Sequence, residues 1–143
     1  MTESVIGDTN LTMTDVILSS SARFYPIVIE LRDELQRAGL SVQTPNLKFV
    51  AASVSPTRKR QLTVDFLAKI SKSRVVCVVT DASGYVGRSV SLEVGFAYAI
   101  RKPLVCLQDL EDPAISCLCK KLSSANALIR FTRALRSRSR VSQ

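Results

Sequence analysis

One carboxylate stands out because the segment around it carries almost no charge. Between Ser89 and Ile100 the only charged residue is Glu93, in a stretch that is apolar almost all round. Burial of an ionised carboxylate costs free energy through desolvation, and a place near a helix start offsets about 0.3–1 kcal/mol of that cost. Glu93 is therefore either a cap for loop amides or a functional carboxylate that attacks or stabilises an electron-poor carbon.

The elements that must position Glu93 follow from three uninterrupted apolar runs. Residues 16–18, 75–79 and 104–107 are rich in β-branched residues and do not alternate with polar ones. Continuous runs of this kind are typical of strands buried on both faces, as in a parallel sheet covered by helices. Helical periodicity between the runs predicts helices over residues 25–38, 57–71, 89–101 and 112–122.

Weaker signals complete the predicted order. Residues 41–43 are expected to form a short strand, residues 47–56 a loop, and residues 127–131 a last strand. The alternation of strands and helices predicts an α/β fold of the doubly wound, Rossmann-like or flavodoxin-like class. We expect a five-stranded parallel sheet with helices on both faces. Ligands of such sheets bind beyond the carboxyl ends of the strands, here at residues 19–24, 80–89 and 108–112.

The segment around Glu93 also has a family likeness. Residues 75–105 resemble the core of the nucleoside 2-deoxyribosyltransferase-like superfamily, which includes deoxynucleoside 5′-monophosphate N-glycosidases. The resemblance is carried by the helix motif Glu93-Val94-Gly95-Phe96-Ala97 and by the Lys102-Pro103 pair that follows. The opening stretch from Leu18 to Phe24 is similar to the first strand and substrate loop of that family.

The resemblance implies cleavage of the N-glycosidic bond of a nucleoside or its 5′-monophosphate, by hydrolysis or by deoxyribosyl transfer. Glu93 would be the nucleophile on the anomeric carbon. Asp81 or Asp65 would protonate or orient the leaving base. For Asp81 the alternative is loop capping, and for Asp65 it is a solvated helix face.

The resemblance also implies a set of substrate-binding residues. The first loop would bind a 5′-phosphate, the second loop would form the opposite wall, and a neighbouring subunit would donate a polar side chain. The residues concerned are Ser19, Ser20, Ser21, Arg23 and Phe24 in the first loop, Gly84, Tyr85, Gly87 and Ser89 in the second, and Asn126, with Ser124 as the alternative, from the neighbour. Gly87 stands where several transferases have an Asp, which counts against transfer more than against glycosidic chemistry.

The composition of the chain excludes several classes of protein. The chain has 143 residues, 46% of them hydrophobic, which suits one domain with a real core. It has no histidine, which excludes a His-based hydrolase, and the spacing of Cys117 and Cys119 is not that of a zinc site. We expect four reduced thiols, a cytoplasmic location, no membrane span, no metal and no cofactor. The expected partners are a small-molecule nucleoside or nucleotide and further copies of the chain in a homodimer or larger homo-oligomer.

The net charge of +8 is concentrated at the C-terminus, where Arg133, Arg136, Arg138 and Arg140 carry four of the eight charges. We therefore predict a flexible N-terminus at residues 1–13, a catalytic domain at residues 14–131 and a flexible basic tail at residues 132–143. Loss of residues 133–143 should then leave stability nearly unchanged. The alternatives to an enzyme are a non-catalytic nucleotide-binding or sensing module and, less favoured, a nucleic-acid-binding accessory protein.

Overall fold

The computed structural model of the chain describes residues 13–48 and 54–141. Nearly all of the predicted N-terminal segment and part of the predicted loop at residues 47–56 lie outside these ranges. Among the described residues, no helix is long and apolar enough to cross a membrane. The four cysteines are free thiols.

The sheet has five parallel strands, so the predicted α/β doubly wound class is confirmed. Its strands are β1 (Thr14–Ser19), β2 (Val42–Gln43), β3 (Ser73–Val78), β4 (Leu104–Cys106) and β5 (Lys120–Lys121). Their spatial order is β2-β1-β3-β4-β5, with Ile17 beside Val76 and Val76 beside Leu104. This order is the flavodoxin-like one, in which the chain leaves β1 toward one edge and returns to β3 on the other side.

Helices cover both faces of the sheet. They are α1 (Tyr25–Arg37, after a 3-10 turn at Ala22–Phe24), α2 (Pro56–Ser71), α3 (Arg88–Ala99), α4 (Pro113–Ser116) and α5 (Ala125–Val141). The first and last of these pack on one face, and the other three pack on the opposite face. Successive residues of β3 explain the uninterrupted apolar run, since Val75 and Cys77 face α1 and α5 while Val76 and Val78 face α2 and α3.

The C-terminal third differs from prediction. The predicted helix at residues 112–122 is only the four-residue α4, and the predicted strand at residues 127–131 is wrong because these residues belong to α5. The fifth strand is Lys120–Lys121 instead. The short apolar run at Leu128 and Ile129 fits a strand or a helix equally well, and the buried Thr132 and partly buried Leu135 continue it at helical spacing.

The predicted flexible tail at residues 132–143 is also wrong over the part that the structure describes. Helix α5 continues through this segment, so the predicted domain boundary falls inside a helix. Leu135 packs against the core, and Arg133 donates a 2.6 Å hydrogen bond to the carbonyl of Ala38. Arg136 lies 3.5 Å from the carboxylate of Asp15, a residue only 4% exposed.

Truncation of the chain after Thr132 should therefore destabilise the fold. It removes the apolar contact of Leu135 and one of the cations beside the buried Asp15, a loss of roughly 2–3 kcal/mol. We expect the melting temperature to fall by about 5–10 °C in a thermal unfolding experiment. A chain that ends at Arg138 keeps both contacts and is the matched control. Equal melting temperatures for the full chain and the shorter truncation product would show that the segment after Thr132 adds nothing.

Candidate active site

The candidate site lies where β1 and β3 end side by side. From β1 the chain passes through α1 to β2, and from β2 it passes through α2 on the other face to β3. The loops after β1 and β3 therefore diverge and open a crevice at the carboxyl edge of the sheet. A cavity of about 830 Å³ occupies this crevice, and Glu93 lies in its wall.

Glu93 and Ser19 form the central contact of the site. Ser19, the last residue of β1, is fully buried, and its hydroxyl donates a 2.6 Å hydrogen bond to Oε1 of Glu93. Glu93 is the sixth residue of α3, so it lies one turn deeper than the helix start. Its partner among the described residues is a side chain of the neighbouring strand and not a loop amide, which disfavours the capping interpretation.

Burial sets the protonation of this carboxyl group. Desolvation raises the pKa of Glu93 to about 7, although the Ser19 hydroxyl and the charge of Lys59 both act to lower it. Glu93 therefore exchanges its proton near neutral pH. Burial, and then the charge of Glu93, raise the pKa of the neighbouring Tyr25, which keeps its phenol protonated.

Several predicted residues do line the same cavity as Glu93. They come from the loop after β1, from α2, and from the loop and first turn before Glu93: Ser20, Ser21, Asp65, Tyr85, Gly87 and Ser89. The hydroxyl of Ser20 is engaged, because it donates a 2.8 Å hydrogen bond to the carbonyl of Val79. Ser20 thus ties the end of β1 to the end of β3.

Arg23 and Phe24 do not line the cavity, but both contact Tyr85, which does. The guanidinium of Arg23 lies 3.9 Å from the ring centroid of Tyr85. The buried ring of Phe24 meets the same tyrosine edge to face, with 6.5 Å between ring centroids. Both contacts fix Tyr85, whose ring lies against Gly87.

The two predicted acids differ in position. Asp81 is exposed and accepts hydrogen bonds from the hydroxyl and the backbone N–H of Ser83, which hold the pKa of the Asp81 carboxyl below its ordinary value. This geometry is that of loop capping, and Asp81 is not part of the cavity wall. Asp65 lines the cavity from α2. Of the two residues, only Asp65 belongs to the wall of the cavity that contains Glu93.

Gly84 has a structural position. Its φ is +70°, and a Cβ atom there would clash with the carbonyl oxygen of Asp109. Its own carbonyl accepts a 2.9 Å hydrogen bond from the N–H of Glu111. Gly84 therefore joins the loop after β3 to the loop after β4, and it does not line the cavity.

Asn126 lies away from the cavity of its own chain. It is exposed in the first turn of α5, the helix that packs on the same sheet face as α1. A role at the site of a neighbouring copy stays a prediction. Among residues 13–48 and 54–141, no three His, Cys, Asp or Glu side chains are placed to hold a metal ion.

The sequence interpretation missed part of the cavity wall. Polar residues at and after the end of β2, the first residue of α1, and cations in the first turns of two helices also line it: Gln43, Thr44 and Asn46, then Tyr25, then Arg58, Lys59 and Arg88. The carboxyl end of β2 was a usable signal, because every strand of a parallel sheet ends at the same edge. No protein-family model matches the chain, and no curated protein of similar sequence was found.

The Gly84→Ala variant should be much less stable than Gly39→Ala. Both glycines have positive φ, +70° and +86°, but a Cβ at Gly39 meets nothing within 4 Å. Gly39→Ala therefore carries only the left-handed backbone cost, about 1–2 kcal/mol, whereas Gly84→Ala adds a clash with backbone atoms and should lose about 3 kcal/mol or more. Denaturant unfolding of the two variants measures the difference. Equal losses would show that the Gly84 loop moves aside freely.

The Glu93→Gln variant should be more stable than the parent above pH 7 and similar to it near pH 4.5. The folded chain holds the Glu93 proton up to a pKa of about 7, against an ordinary value of 4.5, so the parent loses stability as pH rises between these values. The difference at pH 8 should be about 1–3 kcal/mol in denaturant unfolding. The exposed Glu34→Gln is the control, and an identical pH response in both variants would contradict the burial of Glu93.

Proposed function

We propose that the protein cleaves the N-glycosidic bond of nucleosides or nucleotides with Glu93 as nucleophile. The observation that carries this proposal is the placement of one desolvated carboxylate, held by Ser19, in the wall of a cavity at the β1/β3 crevice. A volume of about 830 Å³ is in the range of small-molecule sites. The resemblance around residues 93–97 points to the same chemistry.

The first step forms a bond between a carboxylate oxygen of Glu93 and the anomeric carbon. The C–N bond breaks, and its electron pair leaves with the base. Positive charge develops on the sugar in an oxocarbenium-like transition state, so a fixed anion stabilises that state more than it stabilises the neutral sugar of the ground state. The hydrogen bond from Ser19 aims one oxygen and leaves the other available for attack.

The leaving base needs a proton or a hydrogen-bond donor. Asp65 borders the cavity and is the carboxyl group that we assign to this role, whereas Asp81 is occupied by Ser83. Tyr25 offers a phenol O–H from the same wall. In the second step a water molecule attacks the anomeric carbon and loses a proton to Asp65, which gave its own proton to the base in the first step. The C–O bond of the ester breaks, and its electron pair returns to the Glu93 carboxylate. A second base in place of water would give transfer.

The proton equilibrium of Glu93 fits a nucleophile that works near neutral pH. The ionised form attacks, so activity should rise through pH 7 and level off above it. A carboxylate with raised basicity is also a better nucleophile than an exposed one. The expected homo-oligomer and the cytoplasmic location stay predictions. The proposal uses the homo-oligomer only as the source of Asn126 from a neighbouring copy.

Glu93→Gln should lower turnover by at least about a thousandfold, because the amide keeps the shape of the side chain and cannot form the ester. The assay incubates the full chain with nucleosides and with their 5′-mono-, di- and triphosphates, with and without a second free base, and follows released base by chromatography. Mass spectrometry of the quenched parent should show a sugar adduct on Glu93. The exposed Glu34→Gln serves as control and should keep parent activity.

Ser19→Ala adds a test of the contact itself. Loss of the hydroxyl removes a hydrogen bond that lowers the pKa of Glu93, so the rising limb of the pH profile should move to higher pH.

Unchanged turnover in Glu93→Gln would overturn the proposal. Tight nucleotide binding with no released base from any substrate would favour the non-catalytic module instead.

A further inference from the structure

The amino edge of the sheet, opposite the cavity, carries most of the net positive charge of the chain. Three helices finish there: Arg37 is the last residue of α1, Lys72 follows α2, and Arg101 lies just after α3. Helix α5 brings Arg133 and Arg136 to the same edge. The helix dipole favours cations at helix ends, so these five residues alone do not require a ligand.

Two further cations stand at the amino ends of adjacent strands. Arg74 is the second residue of β3, and Lys102 lies shortly before β4. Extended toward the amino edge, the register that pairs Val76 with Leu104 brings Arg74 beside Lys102. Burial, and then the charge of Arg74, lower the pKa of Lys102. The two cations therefore repel each other across the sheet.

The acid at this edge is the buried Asp15. Its carboxylate lies 3.5 Å from Arg136 and 3.7 Å from Arg74, and it also accepts hydrogen bonds from Ser41. The Nε atom of Arg74 is the only buried side-chain nitrogen or oxygen without a hydrogen-bond partner in the part of the chain that the structure describes. Asp15 thus offsets one of the three positive charges of Arg74, Lys102 and Arg136.

The remaining described acids lie elsewhere. Asp33 pairs with Arg32 at 3.1 Å, Glu34 borders a small separate cavity beside the carboxyl end of β3, and Asp65 and Glu93 line the large cavity. The others border that small cavity or follow β3 and β4: Glu30, Asp81, Asp109, Glu111 and Asp112. The seven cations named above form what we call the amino-edge surface, and together with Asp15 they carry +6 of the net charge of +8.

The amino-edge surface is too wide for one small anion. Helices α1 and α5 lie on one face of the sheet, and α2 and α3 lie on the other. A helix is about 10 Å across, so cations at the ends of these two layers are separated by roughly 20 Å. A nucleic-acid duplex carries one negative charge for about every 1.7 Å of its axis and places several phosphates within that width.

Recessed cations distinguish a phosphate chain from a flat anionic membrane. Only 13% of the Arg74 side chain is exposed, and Lys102 is partly buried, whereas Arg37, Lys72 and Arg101 are exposed. A lipid surface meets the protruding side chains first. A phosphodiester is narrow enough to enter between them and approach the recessed pair, so the surface fits the backbone of a nucleic acid better.

We propose that the amino-edge surface binds the phosphate backbone of a nucleic acid without readout of its bases. Contacts of Lys and Arg with phosphates carry no sequence information, and the release of counterions supplies much of the affinity. The bound phosphates relieve the repulsion between Arg74 and Lys102. Because the cavity of Glu93 lies at the other edge of the sheet, it stays open in the complex. This interaction is independent of the proposed glycosidic function.

Fluorescence anisotropy of the full chain with a labelled DNA duplex of about 20 base pairs tests the surface. A plot of the logarithm of the association constant against the logarithm of the salt concentration should have a slope of about −4 to −6. Combined Arg37→Gln, Lys72→Gln and Lys102→Gln should weaken binding at least tenfold and make the slope less steep by about 3, because three phosphate contacts are lost. A duplex of the same length and another sequence should bind the parent within twofold.

A combined variant with the same loss of charge is the matched control. Lys48→Gln, Arg60→Gln and Arg130→Gln change exposed cations away from the amino edge, so duplex affinity should stay within twofold of the parent. Equal losses in the two combined variants would show that binding follows net charge alone, which overturns the proposal.

Measurements on the parent chain test the proposal without any variant. Orthophosphate should bind at least a hundredfold more weakly than the duplex, and vesicles of phosphatidylserine should bind more weakly than the duplex at equal ionic strength. A salt-independent duplex affinity, or equal affinities for orthophosphate and the duplex, would contradict binding to a phosphate backbone. Vesicle binding without duplex binding would assign the surface to a membrane and overturn the nucleic-acid proposal.

Discussion

The hydrogen bond between Ser19 and Glu93 joins the two halves of the site, and it exists only because β1 and β3 are neighbours. Ser19 ends β1 and Glu93 projects from the helix after β3, 74 residues away in the chain. A parallel sheet brings these positions to one edge, and the reversal of winding between β1 and β3 leaves that edge open. A desolvated carboxylate at this point opposes the folding free energy, so the buried hydroxyl and the charge of Lys59 are needed to keep it partly ionised.

Strands β1 to β4 and the place of Glu93 on the helix after β3 could be predicted from the sequence because each depends on local pattern. Uninterrupted β-branched runs require burial on both sides, and Glu93 was conspicuous as the single charged residue between Ser89 and Ile100. The prediction of a strand at residues 127–131 was wrong because an apolar run of this length fits a strand and a helix equally well. The contacts of Thr132 and Leu135 decide for a helix, and both residues lie in the segment that was interpreted as a tail. The remaining site contacts depend on residues that are far apart in the chain. The contact between Arg23 and the ring of Tyr85, for example, joins two different loops and has no local sequence signal.

Two kinds of wall enclose the candidate site. The wall around Tyr85 is fixed by contacts between loops: Ser20 binds the carbonyl of Val79, Glu111 binds the carbonyl of Gly84, and Arg23 covers the tyrosine ring. These contacts connect the ends of β1, β3 and β4, so the loops that border Glu93 are held in one arrangement before any ligand arrives. Such preorganisation suits a group that must act at a defined atom.

The opposite wall contains three cationic side chains. Arg58, Lys59 and Arg88 are exposed and stand at helix starts that repel them. Exposed cations on long side chains attract an anion from a distance and adapt to it, whereas the buried carboxylate cannot move. The cavity therefore combines a wall that is fixed by contacts between loops with a wall that contains exposed cations. The charge of Lys59 lowers the pKa of Glu93, so this cation partly offsets the carboxylate at the cavity surface.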